Sequence, residues 1–549
     1  MNLTQPPVPN SANNNNPGPP SCPGLQAVLP LGTSQQISFM QPINGLSLYI
    51  GGVSAPMLQG GTAINIPASS TPGAVDVECV DSYGDMSVAI AAVSYGVDPV
   101  ALSASLLPPT GNPTAYLFGF GFYGLPELDY TTNPPFQGSV SVGGQPGTGA
   151  VMLGSQGLSS TLGALAFHIP NGSAGNPADV AVSSSFGSGT LASAATYYPA
   201  LSIVAATGLL QLVYDGHRNL LYALKASEVD VLNPITLQWQ PPLVFPSAAT
   251  GSYNTMALTP DGSKLVVAGL AGSAPQFIVL DPGNSSAPSV LTYTGYSSVS
   301  GSIAITEFNT VVMPGDPGLV LDLSTSSFTS LPFFGGDVIR ASADGSHLFA
   351  SRLNSSGGQV FSIDPSTYAV QSKGFGQLFW TDLAVSPDGS QFAAVDAPPY
   401  AAGDIVGFFD STLHYLNANV YPDFSPPDDT GVLGATFSPG GKVLVVALGD
   451  SVEFWDSARG TLRARLMTPE RLHVLVYPEG AVAPMLALDQ IGQTIYAVSA
   501  SGLTVLKLPG PLDQMPPMQW PLTSRFNSQA WLHGSITSRM AAMPSKPRN

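Results

Sequence analysis

The chain has 549 residues, enough for two to four domains that each bury an apolar core. Only 9% of the residues are charged, whereas Gly (59) and Pro (52) are abundant, which is typical of short strands and tight turns and argues against long amphipathic helices. The 34 Asp and Glu outnumber the 16 Lys and Arg, and the formal net charge of -18 argues against nucleic acid and anionic membranes as partners.

Residues 1–24 are rich in Pro, Asn and Ser and are interpreted as a disordered leader. They lack the cationic and apolar regions of a signal peptide, and no later apolar run is long enough for a transmembrane segment. Low charge and scarce cysteine nevertheless favour an extracellular or cell-surface protein of bacterial type, with a cytoplasmic location left open. Residues 516–549 resemble a loose tail that carries Arg525, Arg539, Lys546 and Arg548 as solubilising charges.

The only two cysteines are Cys22 and Cys79. They can form one disulfide or remain two isolated thiols, and neither lies in a pattern suited to metal binding.

Residues 25–97 contain short alternating or apolar runs separated by Gly and Pro, which predict the strands of a small β-sandwich. Residues 98–199 repeat the same order: a Gly-Gly turn, an apolar strand ending in Pro, a V-x-V strand and a closing tyrosine. The closing tyrosine is Tyr95 in the first copy and Tyr197 or Tyr198 in the second. We therefore predict two copies of one β-sandwich module.

The motifs of these two copies resemble those of the IPT/TIG family of immunoglobulin-like modules. The resemblance rests on IGGVSAP (50–56) and INIP (64–67) in the first copy, and on SVSVGGQP (139–146), AFHIP (166–170) and TYYP (196–199) in the second. It implies two immunoglobulin-like folds, of which the first is degenerate.

From about residue 200 another repeat begins, made of an apolar strand, a D-G or related turn, a second apolar strand and a third strand that ends in Asp. Seven turns from Gly216 to Gly492 give a mean period of about 46 residues, close to that of a four-stranded propeller blade. Well-formed examples are MALTPDGSKLVVAG (256–269), IRASADGSHLFAS (339–351), LAVSPDGSQFAAV (383–395) and ATFSPGGKVLVVAL (435–448).

These repeats resemble WD40-like and YVTN-type propellers, which implies a seven-bladed β-propeller over residues 200–515. The predicted fold class is all-β: two Ig-like β-sandwich modules followed by the propeller. The seventh copy has only three good strands before a Pro-rich segment. We predict that ALSIVAA (200–206) pairs with residues 502–509 and closes the ring.

Candidate chemistry is sparse. The six histidines are spread along the chain without metal-ligand spacing, and the Gly-rich segments lack the context of a phosphate loop. Asp261, Asp344 and Asp388 of the D-G turns are predicted to cap their own hairpins rather than to share a site. We therefore predict no metal and no cofactor.

Propellers commonly bind ligands at the mouth of the central channel, and there the sequence places Tyr253, Trp380 and Asp382. An aromatic ring beside a carboxylate suits a carbohydrate or peptide ligand. The alternative is that both aromatic rings pack between neighbouring blades.

The leading hypothesis is a monomeric, non-enzymatic binding or scaffold protein whose channel mouth engages a protein, peptide or glycan. One alternative is a propeller enzyme of the lactonase or cofactor-dependent dehydrogenase type, because the fold alone does not exclude catalysis. Another is a purely structural surface protein.

Overall fold

A computed structural model gives the fold. It describes residues 22, 25–39, 43, 45–110, 112–122, 135–153, 162–283, 288–295, 298–299, 302–331, 338–352, 358–375, 380–396, 405–420, 434–472 and 485–515. The predicted leader, apart from Cys22, and the predicted tail lie outside the described residues. The regular secondary structure of the described part is almost entirely β-strand, and its helical turns are two short 3-10 segments, Gln59–Gly61 and Leu512–Gln514. Within those residues no helix has the length and apolarity needed to span a membrane.

The first module consists of eight strands in two sheets. The larger sheet has the order β1-β8-β7-β3-β4 and the smaller one β2-β6-β5, with the module's apolar core between them. A disulfide joins Cys22 to Cys79, with the two Cα atoms 5.5 Å apart. The strands are β1 (Ala27–Leu29), β2 (Gln35–Ser38), β3 (Leu46–Ile50), β4 (Val53–Ala55), β5 (Met57–Leu58), β6 (Ala63–Ile66), β7 (Gly73–Asp81) and β8 (Met86–Tyr95).

The second module has the sheet β14-β15-β11-β9, packed against a second sheet that contains β13-β12-β16-β17-β10. Alternation of apolar and polar residues along β16 buries Ala178, Val180 and Val182 in the core between the sheets. The strands are β9 (Asp98–Leu102), β10 (Leu106–Leu107), β11 (Thr114–Phe120), β12 (Ser139–Val142), β13 (Gln145–Pro146), β14 (Thr148–Leu153), β15 (Gly163–His168), β16 (Pro177–Ser184) and β17 (Gly187–Tyr197).

The two modules repeat the same hydrogen bond at the closing tyrosine. The Tyr95 hydroxyl donates to the carbonyl of Pro67 (2.7 Å), and the Tyr197 hydroxyl donates to the carbonyl of Pro170 (2.9 Å). Tyr197, and not Tyr198, is thus the counterpart of Tyr95. The sequence alone left the choice between these two tyrosines open. Each tyrosine fixes the end of the apolar strand that the sequence repeat marked with Pro.

A bulge recurs at equivalent places in the two modules. The Asp76 carboxylate accepts the Ala91 N–H, and the Asp179 carboxylate accepts the Ser193 N–H, both at 2.7 Å. Ala91 and Ser193 have nearly the same left-handed backbone, with φ of 47° and 49°. Because such a conformation is costly for a residue with a side chain, its recurrence shows that each aspartate stabilises a common backbone shape.

In the described residues that follow, the chain forms seven four-stranded antiparallel sheets, one of which is continuous with the second sheet of the second module, and one small two-stranded sheet. The strands of these sheets are β18 (Ala200–Ala205), β19 (Gln211–Asp215), β20 (Leu220–Leu224), β21 (Glu228–Asn233), β22 (Gln238–Val244), β23 (Ser252–Leu258), β24 (Leu265–Ala271), β25 (Ala274–Leu280), β26 (Ser289–Thr292), β27 (Ser298–Val299), β28 (Ala304–Ile305), β29 (Thr310–Met313), β30 (Gly315–Asp316), β31 (Gly318–Asp322), β32 (Ser327–Leu331), β33 (Val338–Ala341), β34 (Leu348–Arg352), β35 (Gly358–Ile363), β36 (Val370–Phe375), β37 (Trp380–Val385), β38 (Gln391–Asp396), β39 (Ile405–Asp410), β40 (Tyr415–Val420), β41 (Gly434–Phe437), β42 (Val443–Ala447), β43 (Ser451–Asp456), β44 (Thr461–Met467), β45 (Leu486–Leu488), β46 (Thr494–Ser499) and β47 (Gly502–Lys507).

We number the sheets in chain order and call them together the ring. Sheet 1 is β19–β22 and sheet 2 is β23–β26; sheet 3 is β28-β29-β31-β32, beside the small pair β27-β30; sheets 4, 5 and 6 are β33–β36, β37–β40 and β41–β44. Sheet 7 has the order β18-β47-β46-β45. The first strand of each sheet contacts the first strand of the next, and β45 contacts β19, so the ring is closed. This arrangement fits a β-propeller.

The predicted closing pair is confirmed. Strand β18 pairs antiparallel with β47, with Ala200 opposite Lys507 and Ala205 opposite Gly502. A strand from the start of the ring therefore completes a sheet built from its end, which fixes the two ends of the ring to each other.

Strand β10 joins the second module to the ring. It pairs in parallel with β17 of the module and with β44 of sheet 6, so a single nine-stranded sheet runs from β13 to β41. Successive side chains of a strand point to opposite faces. Accordingly, Leu106 packs in the core of sheets 6 and 7, whereas Leu107 packs in the core of the second module.

Candidate functional site: a cleft where the second module meets the ring

The two channel-mouth residues with described side chains are buried. Tyr253 is only 3% exposed, and its hydroxyl donates to the side-chain carbonyl of Gln276 on β25, which is separated from β23 by strand β24. Its ring lies edge-on to Phe245, with the centroids 5.2 Å apart. The polar and apolar parts of Tyr253 are thus both engaged within the protein. The backbone of Trp380 begins β37, but its side chain lies outside the described residues.

Asp382 lies at the junction of three sheets and is completely buried. One carboxylate oxygen accepts a hydrogen bond from the Arg340 guanidinium of sheet 4 (2.6 Å), and the other accepts the Ala435 N–H of sheet 6 (3.0 Å). Burial raises the pKa of Asp382, whereas the arginine and the backbone N–H act to lower it. The arrangement connects sheets 4, 5 and 6 electrostatically.

Two further innermost strands carry the same kind of connection. The Gln211 side-chain carbonyl accepts the N–H of Met256 in the next sheet (2.6 Å), and the Ser302 hydroxyl accepts the N–H of Ile339 (2.8 Å). Like Asp382, Gln211 and Ser302 lie four positions before the first residue of a hairpin turn. This spacing is a sequence signal for a contact between neighbouring sheets, which the prediction of a channel-mouth site missed.

The turn aspartates cap their own hairpins, as predicted. Asp261, Asp344 and Asp388 each accept the N–H two residues further on, at 2.9 to 3.1 Å. Hydrogen bonds from the Ser263 N–H and the Thr259 hydroxyl lower the pKa of Asp261 to about 2. These carboxylates are therefore ionised at neutral pH and hold the turns in shape.

In sheet 6 the carboxylate comes from elsewhere in the chain. Its turn has Gly440 where the other three turns have Asp, and Asp513 of the segment after β47 fills the vacant place. The Asp513 carboxylate accepts hydrogen bonds from the Ser438 hydroxyl (2.6 Å), the Gly440 N–H (2.8 Å) and the Lys442 N–H (3.2 Å). A Cβ at position 440 would lie 2.6 Å from an Asp513 oxygen, so glycine makes room for the incoming carboxylate.

His217 and His414 each contact a group in a hairpin turn. His217 Nε2 lies 3.0 Å from the Pro260 carbonyl, and His414 Nδ1 lies 3.3 Å from an Asp410 oxygen in its own turn. His473 and His533 lie outside the described residues. In the part of the chain that the structure describes, no three residues of the His, Cys, Asp or Glu types form a group suited to a metal ion.

A cleft of about 530 Å³ lies where the second module meets the ring. Its walls come from β17, from the start of β10, from β44 and from the segment that follows β47. The lining residues are small, apolar or uncharged except for one arginine: Ser105, Leu106, Ser193, Ala194, Ala195, Thr196, Arg463, Ala464, Pro509, Gly510, Pro511, Gln514 and Met515. This volume is within the range of small-molecule and peptide side-chain pockets.

Arg463 is the charged residue of the cleft, and its guanidinium already has partners. Its Nε and Nη2 donate to the Asp456 carboxylate (3.1 and 2.8 Å), and its Nη1 donates to the Met515 carbonyl (2.9 Å). Burial raises the pKa of Asp456, but the hydrogen bonds from Arg463 and the Arg459 N–H outweigh it and lower that pKa. The pair is thus ionised and holds the end of the described chain against sheet 6.

The cleft was not predicted from the sequence. Strand β10 has only two residues and follows a Ser-Ala-Ser stretch, so neither periodicity nor length marks it as a strand. The wall residues come from three separate parts of the chain, which a single sequence without contact information does not bring together.

No family model matches this sequence, and no curated protein matches it. Among solved structures, the chain is similar to Kuenenia stuttgartiensis hydrazine synthase (16% identity, TM-score 0.44, covering 56% of this chain and 98% of that one). It is also similar to the Myceliophteria thermophila Cps50 (Swd1) β-propeller domain (12%, 0.43, 56% and 100%) and to a chain of the mitotic checkpoint complex (14%, 0.43, 56% and 91%). Similarity at this level carries no argument about function.

Proposed function

We propose that this protein is a non-enzymatic interaction scaffold, in which two immunoglobulin-like modules (25–97 and 98–199) are fused to a seven-bladed propeller (200–515) and protein segments bind at the cleft between them. The observation that carries the proposal is β10. Because Leu106 pairs with both β17 and β44, and Leu107 pairs with β17, the second module and the ring share one sheet. A site built between two such partners is preorganised, which lowers the entropic cost of binding.

The distribution of charged side chains supports a scaffold. Asp382 and Arg340 connect sheets of the ring, and Asp261 and Asp513 shape turns. Their hydrogen bonds within the protein support a structural role for these side chains. Ligand binding by Tyr253, Trp380 and Asp382 at the channel mouth stays a prediction. We favour the cleft because the side chains of Tyr253 and Asp382 already form hydrogen bonds within the protein.

The proposal includes an extracellular or cell-surface location. The disulfide between Cys22 and Cys79 supports it, since such bonds persist mainly in oxidising compartments. Fractionation of the cells that produce the protein, with thiol labelling before and after reduction, tests this part.

The scaffold proposal is tested with the purified full-length chain on arrays of peptides and glycans, after elemental mass spectrometry and an absorbance scan. The expected result is saturable binding to a set of peptides by protein free of stoichiometric metal or chromophore. A stoichiometric ion or chromophore would instead support the enzyme alternative, and selective glycan binding would contradict a peptide-binding scaffold.

A further inference from the structure

The larger sheet of the first module has an apolar outer face. Along β8 the side chains alternate between the two faces of the sheet, and Met86, Val88 and Ile90 point away from the module's core. These three residues are 54%, 45% and 40% exposed. Strand β7 extends the face, because Val80 lies opposite Met86 and Glu78 lies opposite Val88. We call these five residues the outer face.

The second module shows that the fold does not require an apolar surface here. The shared bulge aligns β17 with β8, and Ser188 pairs with Ser183 just as Met86 pairs with Val80. In the second module the counterparts of Met86, Val88, Ile90, Val80 and Glu78 are, in that order, Ser188, Thr190, Ala192, Ser183 and Ala181. The apolar outer face is therefore a property of the first module and not of the fold. An exposed apolar face of this kind indicates a binding surface.

The first module is acidic and has no basic side chain of its own. Residues 1–217 contain neither Lys nor Arg. The four carboxylates of the module lie on β7 or in the turn that follows it, and they are Asp76, Glu78, Asp81 and Asp85. Glu78 lies within the outer face itself, between Val88 of β8 and Tyr49 of β3. Two outer faces in contact would bring like charges together, which disfavours a second copy as the partner. The face instead suits a segment that combines apolar and basic side chains.

Residues 516–549 of the same chain have this combination. They contain neither Asp nor Glu, and their basic residues are Arg525, Arg539, Lys546 and Arg548. Three large aromatic residues lie close to Arg525 in the sequence: Trp520, Phe526 and Trp531. Residues 1–24, at the other end of the chain, have neither a charged nor an aromatic residue and do not fit the face.

The length of residues 516–549 is sufficient to reach the outer face. Met515, the last described residue, lines the cleft beside β17 of the second module. The first module packs directly on the second, where Ala74 and Ala91 join an apolar cluster with Phe118. Residues 516–549 extend up to about 110 Å at about 3.3 Å per residue. Since a module of about 100 residues has a radius of gyration of about 13 Å, the segment can pass the second module and reach the first.

We propose that the segment 518–532 covers the outer face of the first module of the same chain. Its aromatic side chains contact Met86, Val88 and Ile90, and Arg525 lies beside the Glu78 carboxylate. This assignment goes beyond the proposed function, because it gives the first module an intramolecular partner at a surface distinct from the cleft. It also differs from the sequence-based prediction of a loose tail.

Photo-cross-linking of the full-length protein identifies the segment that covers the face. A benzophenone amino acid replaces Val88 in one protein and its counterpart Thr190 in the matched control. Mass spectrometry of the digested proteins locates the cross-links. We expect cross-links from position 88 to residues 518–532 of the same chain and none to this segment from position 190. Cross-linked dimers on a denaturing gel, or an absence of cross-links from position 88 to residues 516–549, would overturn the proposal.

Trypsin cleavage after Arg525 measures how strongly the face protects the segment. The triple variant Met86→Ser, Val88→Thr and Ile90→Ala gives the first module the residues that the second module carries at the same places. The variant should therefore fold, and circular dichroism melting verifies this. Because only the undocked segment is cleaved, we expect cleavage at least about tenfold faster in the triple variant than in wild type. Equal cleavage rates in the folded proteins would overturn the proposal.

A charge reversal provides a second variant that leaves the apolar residues in place. Glu78→Lys puts a positive charge within the outer face and repels Arg525, so cleavage after Arg525 should again be faster than in wild type. The control Ala181→Lys makes the corresponding change in the second module and should leave the cleavage rate unchanged. Equal acceleration by both substitutions would assign the effect to net charge alone and overturn docking at the outer face. Peptide binding at the cleft is measured on the arrays, so failure here leaves the scaffold proposal standing.

Discussion

The stability of the turn of sheet 6 should depend on the Asp513 carboxylate, which comes from a distant part of the sequence. A second substitution, in the turn itself, should remove this dependence. In Asp513→Ala, the Ser438 hydroxyl and the N–H groups of Gly440 and Lys442 lose their common acceptor. At about 1 kcal/mol for each hydrogen bond, and less for the parts open to water, the free energy of unfolding should fall by about 2 to 3 kcal/mol.

The reversing change is Gly440→Asp. In the turns of sheets 4 and 5, Asp344 and Asp388 occupy this position and accept hydrogen bonds from the serine two residues before them (2.6 and 2.7 Å). Gly440 has no positive φ, so an aspartate fits its backbone. In Asp513→Ala the second change should therefore restore most of the lost stability.

In the wild-type background the same Gly440→Asp change should destabilise the protein, because the new Cβ would meet an Asp513 oxygen at 2.6 Å and two carboxylates would compete for one site. The assay is urea unfolding of the four proteins of the cycle, followed by tryptophan fluorescence, to which the buried Trp455 of sheet 6 contributes. The reasoning would be refuted if Gly440→Asp changed the free energy of unfolding in the same direction in wild type and in Asp513→Ala.

Three further predictions concern the ring and the first module. Asp382→Ala leaves Arg340 without its buried partner and should lower the free energy of unfolding by about 3 to 5 kcal/mol, with a smaller loss in Asp382→Asn; equal losses in thermal melts would contradict the ion-pair role. Replacing both Cys22 and Cys79 by Ser opens a loop of 57 residues and should cost the first module about 2 to 4 kcal/mol, measured by pulse proteolysis, whereas unchanged cleavage of that module would argue against a stabilising bond. The pKa of Asp261 is lowered to about 2 from 3.8. Its contribution to the free energy of unfolding is therefore complete above pH 4 and is lost as the pH falls from about 4 to 2. When the free energy of unfolding is measured against pH, Asp261→Asn should flatten the curve in this range, and an unchanged curve would contradict the prediction.

The repeat pattern predicted most of the ring because each repeat fixes its own local chemistry. The D-G turns demand a positive φ, which Gly262, Gly345 and Gly389 supply at 69° to 75°, and the apolar runs on either side pair as hairpins. The closing strand β18 was predictable as well, because the Pro-rich end of the seventh repeat required an outside partner. Local sequence was sufficient wherever a pairing joins neighbouring segments.

Apart from the pairing of β18 with β47, contacts between distant segments were not predictable in this way. Asp382 was interpreted as a channel-mouth residue, but its environment is set by Arg340 and Ala435, which belong to other repeats. Asp513 and β10 carry no periodic signal, since each acts through a partner far away in the sequence. The candidate site is built from such contacts, and for this reason the sequence pointed to the mouth of the channel instead.

Amide hydrogen exchange of the full-length protein with and without a peptide selected on the arrays is the measurement that tests the binding scaffold most directly. The account predicts slower exchange at residues 193–196 of β17 and 463–464 of β44, with no change at residues 252–254 and 380–382 at the channel mouth. Protection at the mouth with an unchanged cleft would contradict it.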